Sequence, residues 1–405
     1  MTSGENRLWQ RSEVIYCSNV HPGESLGDLY NTIQYNITSV RQCRSLDRMG
    51  IGLWISQKAA QEITETQESL QKFSTYLTTQ GLEILTLNGF PFGNFHSGVV
   101  KEKVYLPDWS DARRLDYTIE LATILAHCMH DQQDEATIST LPLGYKPNWS
   151  AVNHSTALTH LCQLVTELDK IKQQTNRSIR VCLEMEPGCV LEHTDEVIQL
   201  FHTELPKMAT LHGISTASLE QHLGICFDIC HQAVMFEDVH TSLTRLQKAG
   251  VPIGKIQISS ALAYHPADDK DYSALRRFEE KRYLHQTTTL INNKTYRVMD
   301  LNQAFDDIKF QSHTPWRTHF HIPIQIKAIN EACLQTTQDT ILSTLDYLQQ
   351  NKHFHPCLEV ETYTWHVLPK ELRPETAEEL ACSISNELAW LENALQERHL
   401  LAGSE

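Results

Sequence analysis

Cys182-Leu183-Glu184-Met185-Glu186-Pro187-Gly188 and Cys357-Leu358-Glu359-Val360-Glu361-Thr362 are near copies of one short β-type run, and Phe227-Asp228-Ile229-Cys230-His231 closes a third apolar run between them. Side chains two apart on a strand share a face, so each Glu pair points one way while Leu183, Met185, Leu358 and Val360 point the other. Several carboxylates therefore converge on one interior. Buried together they require protons, basic partners or a bound cation, and a divalent metal meets that need with a single group.

Outward from these runs, short β-rich segments alternate with long amphipathic ones. The spacing predicts strands over 14–20, 49–56, 82–88, 136–143, 179–186, 223–228, 255–259 and 357–363. Helical periodicity fills 26–43, 57–80, 109–129, 155–174, 194–205, 231–248 and 337–350, and a last helix covers 377–396. Strict alternation implies parallel strands joined by right-handed crossovers. Eight such units predict an α/β fold, a single (β/α)8 TIM barrel spanning residues 1–405 with no dividing linker. Long loop insertions follow strands 3 and 7, over 89–108 and about 260–335, and both leave the strand ends where barrel sites are built. The second is expected to lie over the C-terminal face and to carry a charged helical piece near 272–283. No GxGxxG follows the first strand, and the glycines of Asn88-Gly89-Phe90-Pro91-Phe92-Gly93 have the wrong spacing for a dinucleotide loop.

The 50 acidic and 34 basic residues leave a formal charge of −16, which argues against nucleic acid and anionic membrane surfaces as partners and for a small-molecule metabolite. Residues 1–14 contain no apolar run suited to a signal, and no stretch approaches about 18 consecutive apolar residues, so no membrane insertion and a cytoplasmic location are expected. Eleven cysteines, several within apolar strand-like runs and none in a Cys-x-x-Cys pair, read as free core thiols.

Asp228 and His231 are spaced to aim a carboxylate oxygen and an imidazole nitrogen at one cation, although an Asp at that place also suits a helix N-cap. Beside the two Glu runs the ligand reading is preferred. Gln257 faces inward if Ile256 and Ile258 face the helices, as a weak neutral ligand or a satisfied polar group of the lumen. His21 and His96 lie just beyond strand ends, as site residues or as exposed loop histidines, and His265 lies in the second long insertion. His319 and His321 share a side if that segment is extended, and either chelate a cation or form a structural pair. Arg317 is suited to grip a carboxylate or phosphate, with Trp316 beside it, or else forms a surface salt bridge. Trp54, Phe95, Trp316 and Trp365 form an apolar wall or fill the core.

With Glu184, Asp228-x-x-His231, a polar inward Gln257 and Glu359 or Glu361 on the last strand, the chain resembles the xylose isomerase-like TIM barrels, which include sugar isomerases, ketose epimerases and the endonuclease IV type of nuclease. More closely, Asn88-Gly89-Phe90-Pro91-Phe92-Gly93-Asn94-Phe95-His96, Val104-Tyr105-Leu106-Pro107-Asp108-Trp109 and Glu359-Val360-Glu361-Thr362-Tyr363-Thr364-Trp365 look like the EboE-type metabolite traffic proteins of bacterial specialised-metabolite clusters. The resemblance implies a divalent metal (Mn, Mg or Zn) held by Glu184, Asp228, His231, Gln257 and Glu361, with Glu184 and Glu361 doubling as acid/base groups. Glu186, Glu359, His21, His96, His265, His319 and His321 stand as further candidates, and Arg317 and Trp316 as substrate contacts. The superfamily usually has His at the position of Gln257, a departure that weakens the expected site or moves it toward His265, His319 or His321. The implied activity is isomerisation or epimerisation of a sugar, sugar-phosphate-like or α-hydroxycarbonyl metabolite, with other proteins of its pathway as further partners. Two rivals are a non-catalytic metabolite-binding barrel and a metal-dependent phosphoesterase.

Overall fold

The computed structural model describes residues 7–130, 133–266, 272–311, 314–329 and 333–403. Its strands in chain order are β1 (Ile15–Tyr16), β2 (Met49–Trp54), β3 (Leu82–Asn88), β4 (Glu135–Thr140), β5 (Ser178–Glu184), β6 (Leu223–Asp228) and β7 (Ile253–Ile258), then β8 (Ser260–Tyr264), β9 (Thr287–Ile291), β10 (Lys294–Val298), β11 (Trp316–Ile322), β12 (Leu334–Thr336) and β13 (Cys357–Val360). One sheet has the order β1-β13-β7-β6-β5-β4-β3-β2, every neighbour parallel. A parallel bridge between Cys17 and Gly52 joins its two ends, so the chain is a TIM barrel.

Strands buried on both faces read as continuous apolar runs, and β2 and β6 are buried along their whole length. Gly52 has a second reason to be glycine. A Cβ there would stand 1.7 Å from Glu359 Oε1, so the missing side chain leaves room for a charged group in the lumen. The crossover helices start on side-chain caps: Ser150 for Ala151–Thr175, Thr376 for Ala377–Glu397 and Asp228 for Ile229–Val234. The segments 26–43 and 57–80 are less continuous than their periodicity suggests. The first passes through a π-turn at Thr32–Ile37, and the second restarts where Thr66 caps Gln67–Thr79.

The stretch after β7 is mostly β-structure. Its helices among the described residues are the short Ser273–Arg276 and Leu301–Ala304, and β10-β9-β11-β8-β12 form a five-stranded antiparallel sheet. Only Ser259 separates β7 from β8, so the barrel strand runs on into the second sheet and its pattern reads as one strand end. The inserted segment meets the barrel at residues that follow β5 and β13: Gln286 Nε2 donates to the Pro187 carbonyl, and Thr364 Oγ1 to that of His321. Among the described residues no helix is long and apolar enough to cross a membrane.

Candidate metal centre

Glu184 ends β5, Asp228 ends β6 and Glu361 follows β13. Their carboxylate oxygens lie within 4.8 Å of one another, and all three side chains are buried. Each is held differently. Glu361 Oε1 accepts from Asn19 Nδ2 (2.8 Å) and Asn88 Nδ2 (2.9 Å), at the ends of the first and third barrel strands. Asp228 Oδ1 accepts from the His231 amide (2.8 Å) and the Ser259 hydroxyl (2.9 Å), so the N-cap role is real. That role uses one oxygen. Asp228 Oδ2 and Glu184 Oε2 have no hydrogen-bond partner among the described residues.

An unpartnered buried carboxylate oxygen is costly, and here two face one small volume. Burial, then Glu361 and Asp228, hold the Glu184 carboxyl well above the usual carboxylate range. Burial, then Asp228 and Glu359, do the same for Glu361. The cation beneath them is already engaged, since Lys255 Nζ lies 2.5 Å from Glu359 Oε2 with both side chains fully buried, and it also donates to Ser139 Oγ. Of the last-strand Glu-x-Glu pair, then, Glu359 belongs to a lumen ion pair and Glu361 to the carboxylate cluster. A divalent cation fits the oxygens that remain.

Three imidazoles stand beside this cluster. His231 donates Nδ1–H to the Met185 carbonyl (2.7 Å) and His321 to the Glu361 carbonyl (2.7 Å). His319 donates Nδ1–H to Gln286 Oε1 (2.8 Å). The Gln286 amide is oriented by Nε2 donating to the Pro187 carbonyl (3.0 Å) and the Tyr105 hydroxyl (2.9 Å). A carbonyl oxygen only accepts, so each ring carries its proton on Nδ1 and presents an Nε2 lone pair. The three Nε2 atoms converge, with His231 to His319 at 3.1 Å and His319 to His321 at 3.2 Å. Burial, then the neighbouring imidazoles, push His319 well below the usual histidine range, and burial brings His321 down to about 4.

Strand β11 sets this geometry. Its alternation buries Trp316, Thr318 and Phe320 on one face and turns Arg317, His319 and His321 to the other. Between the pairs Thr318–Leu262 and Ile322–Ser260 it advances four residues while β8 advances two, and both histidines sit in that bulge. Glu186 accepts from the Tyr105 hydroxyl (2.8 Å) and lies 3.8 Å from His319 Nδ1.

The remaining candidates fall elsewhere. Gln257 is fully buried, Cα-paired with Asp228 and Glu359, and its Oε1 accepts from the Cys226 thiol. His21 is bonded to the Tyr16 hydroxyl, and His96 donates to the Asn19 carbonyl, which supports the amide that holds Glu361. His265 is exposed at the end of β8. Trp316 and Arg317 are not brought to the cavity. Trp316 packs between Tyr272 and Phe310 in the second sheet, and Arg317 donates to the Ala233 carbonyl and lies over Phe236.

The cavity above the cluster encloses about 510 Å³ of atom-free space, mouth included. Glu184, Glu186, His231, His319, His321 and Glu361 form its floor, with Asn19 and Asn88 beside them. Phe95, Tyr283 and Tyr363 pack on one another with ring centroids 5.1–5.4 Å apart and make an aromatic wall. Trp54 joins that cluster, while Trp365 belongs to the main core. Lys101, paired with Asp300 at 2.5 Å, lines the cavity from the first long insertion. Sequence reasoning missed Asn19, Asn88, Lys255, Gln286 and Tyr363. Of these Lys255 carried a signal, because it shares the inward parity of Gln257 two residues on.

No protein-family model and no curated protein sequence matches the chain. Similar solved structures include a D-tagatose 3-epimerase-like protein, at 12% identity over 95% of this chain and 97% of that one, with a TM-score of 0.47. A xylose isomerase domain protein from Planctomyces limnophilus is 11% identical over 95% and 96%, with a TM-score of 0.48. An IolI protein with a binding zinc atom is 13% identical over 95% and 98%, with a TM-score of 0.44.

Proposed function

We propose that the chain is a divalent-metal-dependent isomerase or epimerase acting on a small polyhydroxylated or α-hydroxycarbonyl metabolite, a sugar or sugar-phosphate-like compound. The observation that carries this reading is the convergence of Glu184, Asp228 and Glu361 within 4.8 Å, with Glu184 Oε2 and Asp228 Oδ2 without a hydrogen-bond partner among the described residues, and with Glu184 and Glu361 on the floor of the cavity. Those three carboxylates would hold Mn, Mg or Zn. The cation's contribution when bound is to polarise a substrate carbonyl, which acidifies the neighbouring C–H. Glu184 and Glu361 are then placed to remove and return the proton. Asn19 and Asn88 fix the second of these carboxylates, and the wall of Phe95, Tyr283 and Tyr363 excludes water from the apolar edge of the substrate. The cytoplasm, a specialised-metabolite pathway and its other proteins as partners belong to this reading through the EboE-type motifs. The whole chain is read as one barrel whose inserted sheet covers the strand ends.

The test is solvent exchange. Metal-loaded protein in D2O, incubated with a panel of ketoses, aldoses and α-hydroxyketones, should place deuterium on the carbon next to a carbonyl, read by NMR. Glu184→Gln should abolish the exchange. Loaded wild-type protein that binds a panel member without exchanging it would replace this reading with that of a metabolite-binding barrel. The three converging imidazoles favour one other reading, hydrolysis of a small phosphate ester, which phosphate release in the same incubations detects.

A further inference from the structure

We infer that His231, His319 and His321 form a second cation site, distinct from the carboxylate site and joined to it through Asp228. The inference rests on the proposed metal dependence but not on the proposed reaction.

Three observations lead to it. First, the tautomer of each ring is locked by a Nδ1–H donated to an oxygen that cannot donate, so the Nε2 lone pair of His319 faces that of His231 at 3.1 Å and that of His321 at 3.2 Å. Two lone pairs at that distance repel unless a positive centre lies between them. Nitrogens each about 2.0–2.1 Å from a tetrahedral Zn2+ stand roughly 3.3–3.4 Å apart, close to the spacing found. Second, Asp228 Oδ2, on a fully buried side chain with no partner for that atom among the described residues, lies 3.9 Å from His321 Nε2. It completes a set of three imidazoles and one carboxylate. Third, the donors separate. Glu184, Asp228 and Glu361 form one group within 4.8 Å and Asp228, His231 and His321 another, with Asp228 common to both, while His319 falls in one group with Glu186 and His231 and in one with Cys230 and His321. One site is all oxygen and suits a hard cation. The other is nitrogen-rich and suits Zn2+ or a neighbouring transition ion.

The rings are supplied by different parts of the chain. His231 stands on the helix after β6, while His319 and His321 come from the bulge of β11 in the inserted sheet. Gln286 orients His319, and Tyr363, whose ring centroid is 4.7 Å from that of His321, closes the other side. Such outer hydrogen bonds fix ligating imidazoles in metal sites generally.

The test counts cations in the full chain. Metal-free protein is titrated with Zn2+ by calorimetry, and the dialysed product is analysed by plasma mass spectrometry. The same is done for His319→Gln, His321→Gln and the pair Glu184→Gln/Glu361→Gln, each checked for native circular dichroism. Two Zn2+ per wild-type chain are expected, one in each histidine variant and one in the carboxylate variant. Loading the carboxylate variant with Co2+ should give the intense visible absorption of a nitrogen-rich site of low coordination number, absent from the histidine variants. A single Zn2+ per wild-type chain, or two retained by folded His319→Gln and His321→Gln, would overturn the inference. Should a variant not fold, the wild-type stoichiometry alone decides. Neither result depends on turnover, so two bound cations without solvent exchange would defeat the isomerase reading and leave this inference standing.

Discussion

Replacing Lys255 with Met tests the claim that Glu359 belongs to an ion pair and not to the metal centre. Both side chains are fully buried with 2.5 Å between Nζ and Oε2, and Glu359 Oε1 already occupies the space left by the missing side chain of Gly52. Removing one partner of a buried pair costs about 3–5 kcal/mol, because the other charge stays desolvated. Unfolding entropy of roughly 2.1 cal/mol/K per residue over 405 residues is about 0.85 kcal/mol/K, so the melting temperature should fall by roughly 4–6 °C. Lys255→Met combined with Glu359→Met keeps the shape, removes both charges and should recover most of the loss. The pH dependence has a definite sign. Burial already raises the Glu359 carboxyl above its ordinary value, and without Lys255 it rises further. A carboxyl raised in the folded state favours folding below its unfolded pKa of about 4.3 and loses that favour as pH climbs through the folded value. The deficit of Lys255→Met should therefore be small near pH 4 and full at pH 8. Calorimetric scans of the three proteins across that range measure it. A single variant as stable as wild type at pH 8, or a double variant no better than the single, refutes the ion-pair assignment.

Other expectations follow from the same geometry. Glu184→Gln relieves repulsion from Glu361 and Asp228, so it should melt higher than wild type in chelator yet gain less from added Mn2+ or Zn2+, as thermal shift will show. The carboxyls of Glu184 and Glu361 are raised while His319 and His321 are lowered, so cation binding should displace protons from the carboxyls and not from these rings. Affinity should strengthen as pH rises from 5 to 7, with net proton release seen by calorimetry in buffers of different ionisation enthalpy. Gly52→Ala should cost about 3 kcal/mol or more through the clash with Glu359, whereas Gly98→Ala, with positive φ but open space around it, should cost about 1 kcal/mol. Of the eleven thiols, Cys43 and Cys382, which are exposed with their sulfurs 3.7 Å apart, should be alkylated first when mass spectrometry follows labelling of the native protein.

The barrel and the carboxylate cluster are legible from local pattern. Continuous apolar runs alternating with 3.6-residue periods specify parallel strands, and strand parity sends Glu184 and Glu361 to the same interior as Asp228. The histidines were half legible. Parity puts His319 and His321 on one side of an extended segment, but where that side faces depends on β11 pairing with β8 and β9 and on a bulge of two residues. Those are long-range contacts with no local signature. Tyr105 and Asn88 are hidden for the same reason, since each acts on a partner at least eighty residues away, and Gln286 because Pro187 and Tyr105, which fix its amide, are as distant. The second sheet lacks a local signature because its strands are short and β8 is separated from β7 by a single serine.

That junction makes the inserted sheet separable from the barrel. The insertion leaves the barrel at Ser259 and returns at Thr337, where the Ala261 amide donates to Thr337 Oγ1 and the Thr337 amide to the Ala261 carbonyl. A segment whose two ends meet can be gained or lost in one genetic event without stretching the host. A chain shortened so that β7 joins the helix Gln338–Gln350 directly would still hold Glu184, Asp228, Glu361 and the lumen pair. It would lack His319, His321 and Gln286. The two donor sets thus come from separable parts of the chain, and His231 is the imidazole that the barrel itself supplies.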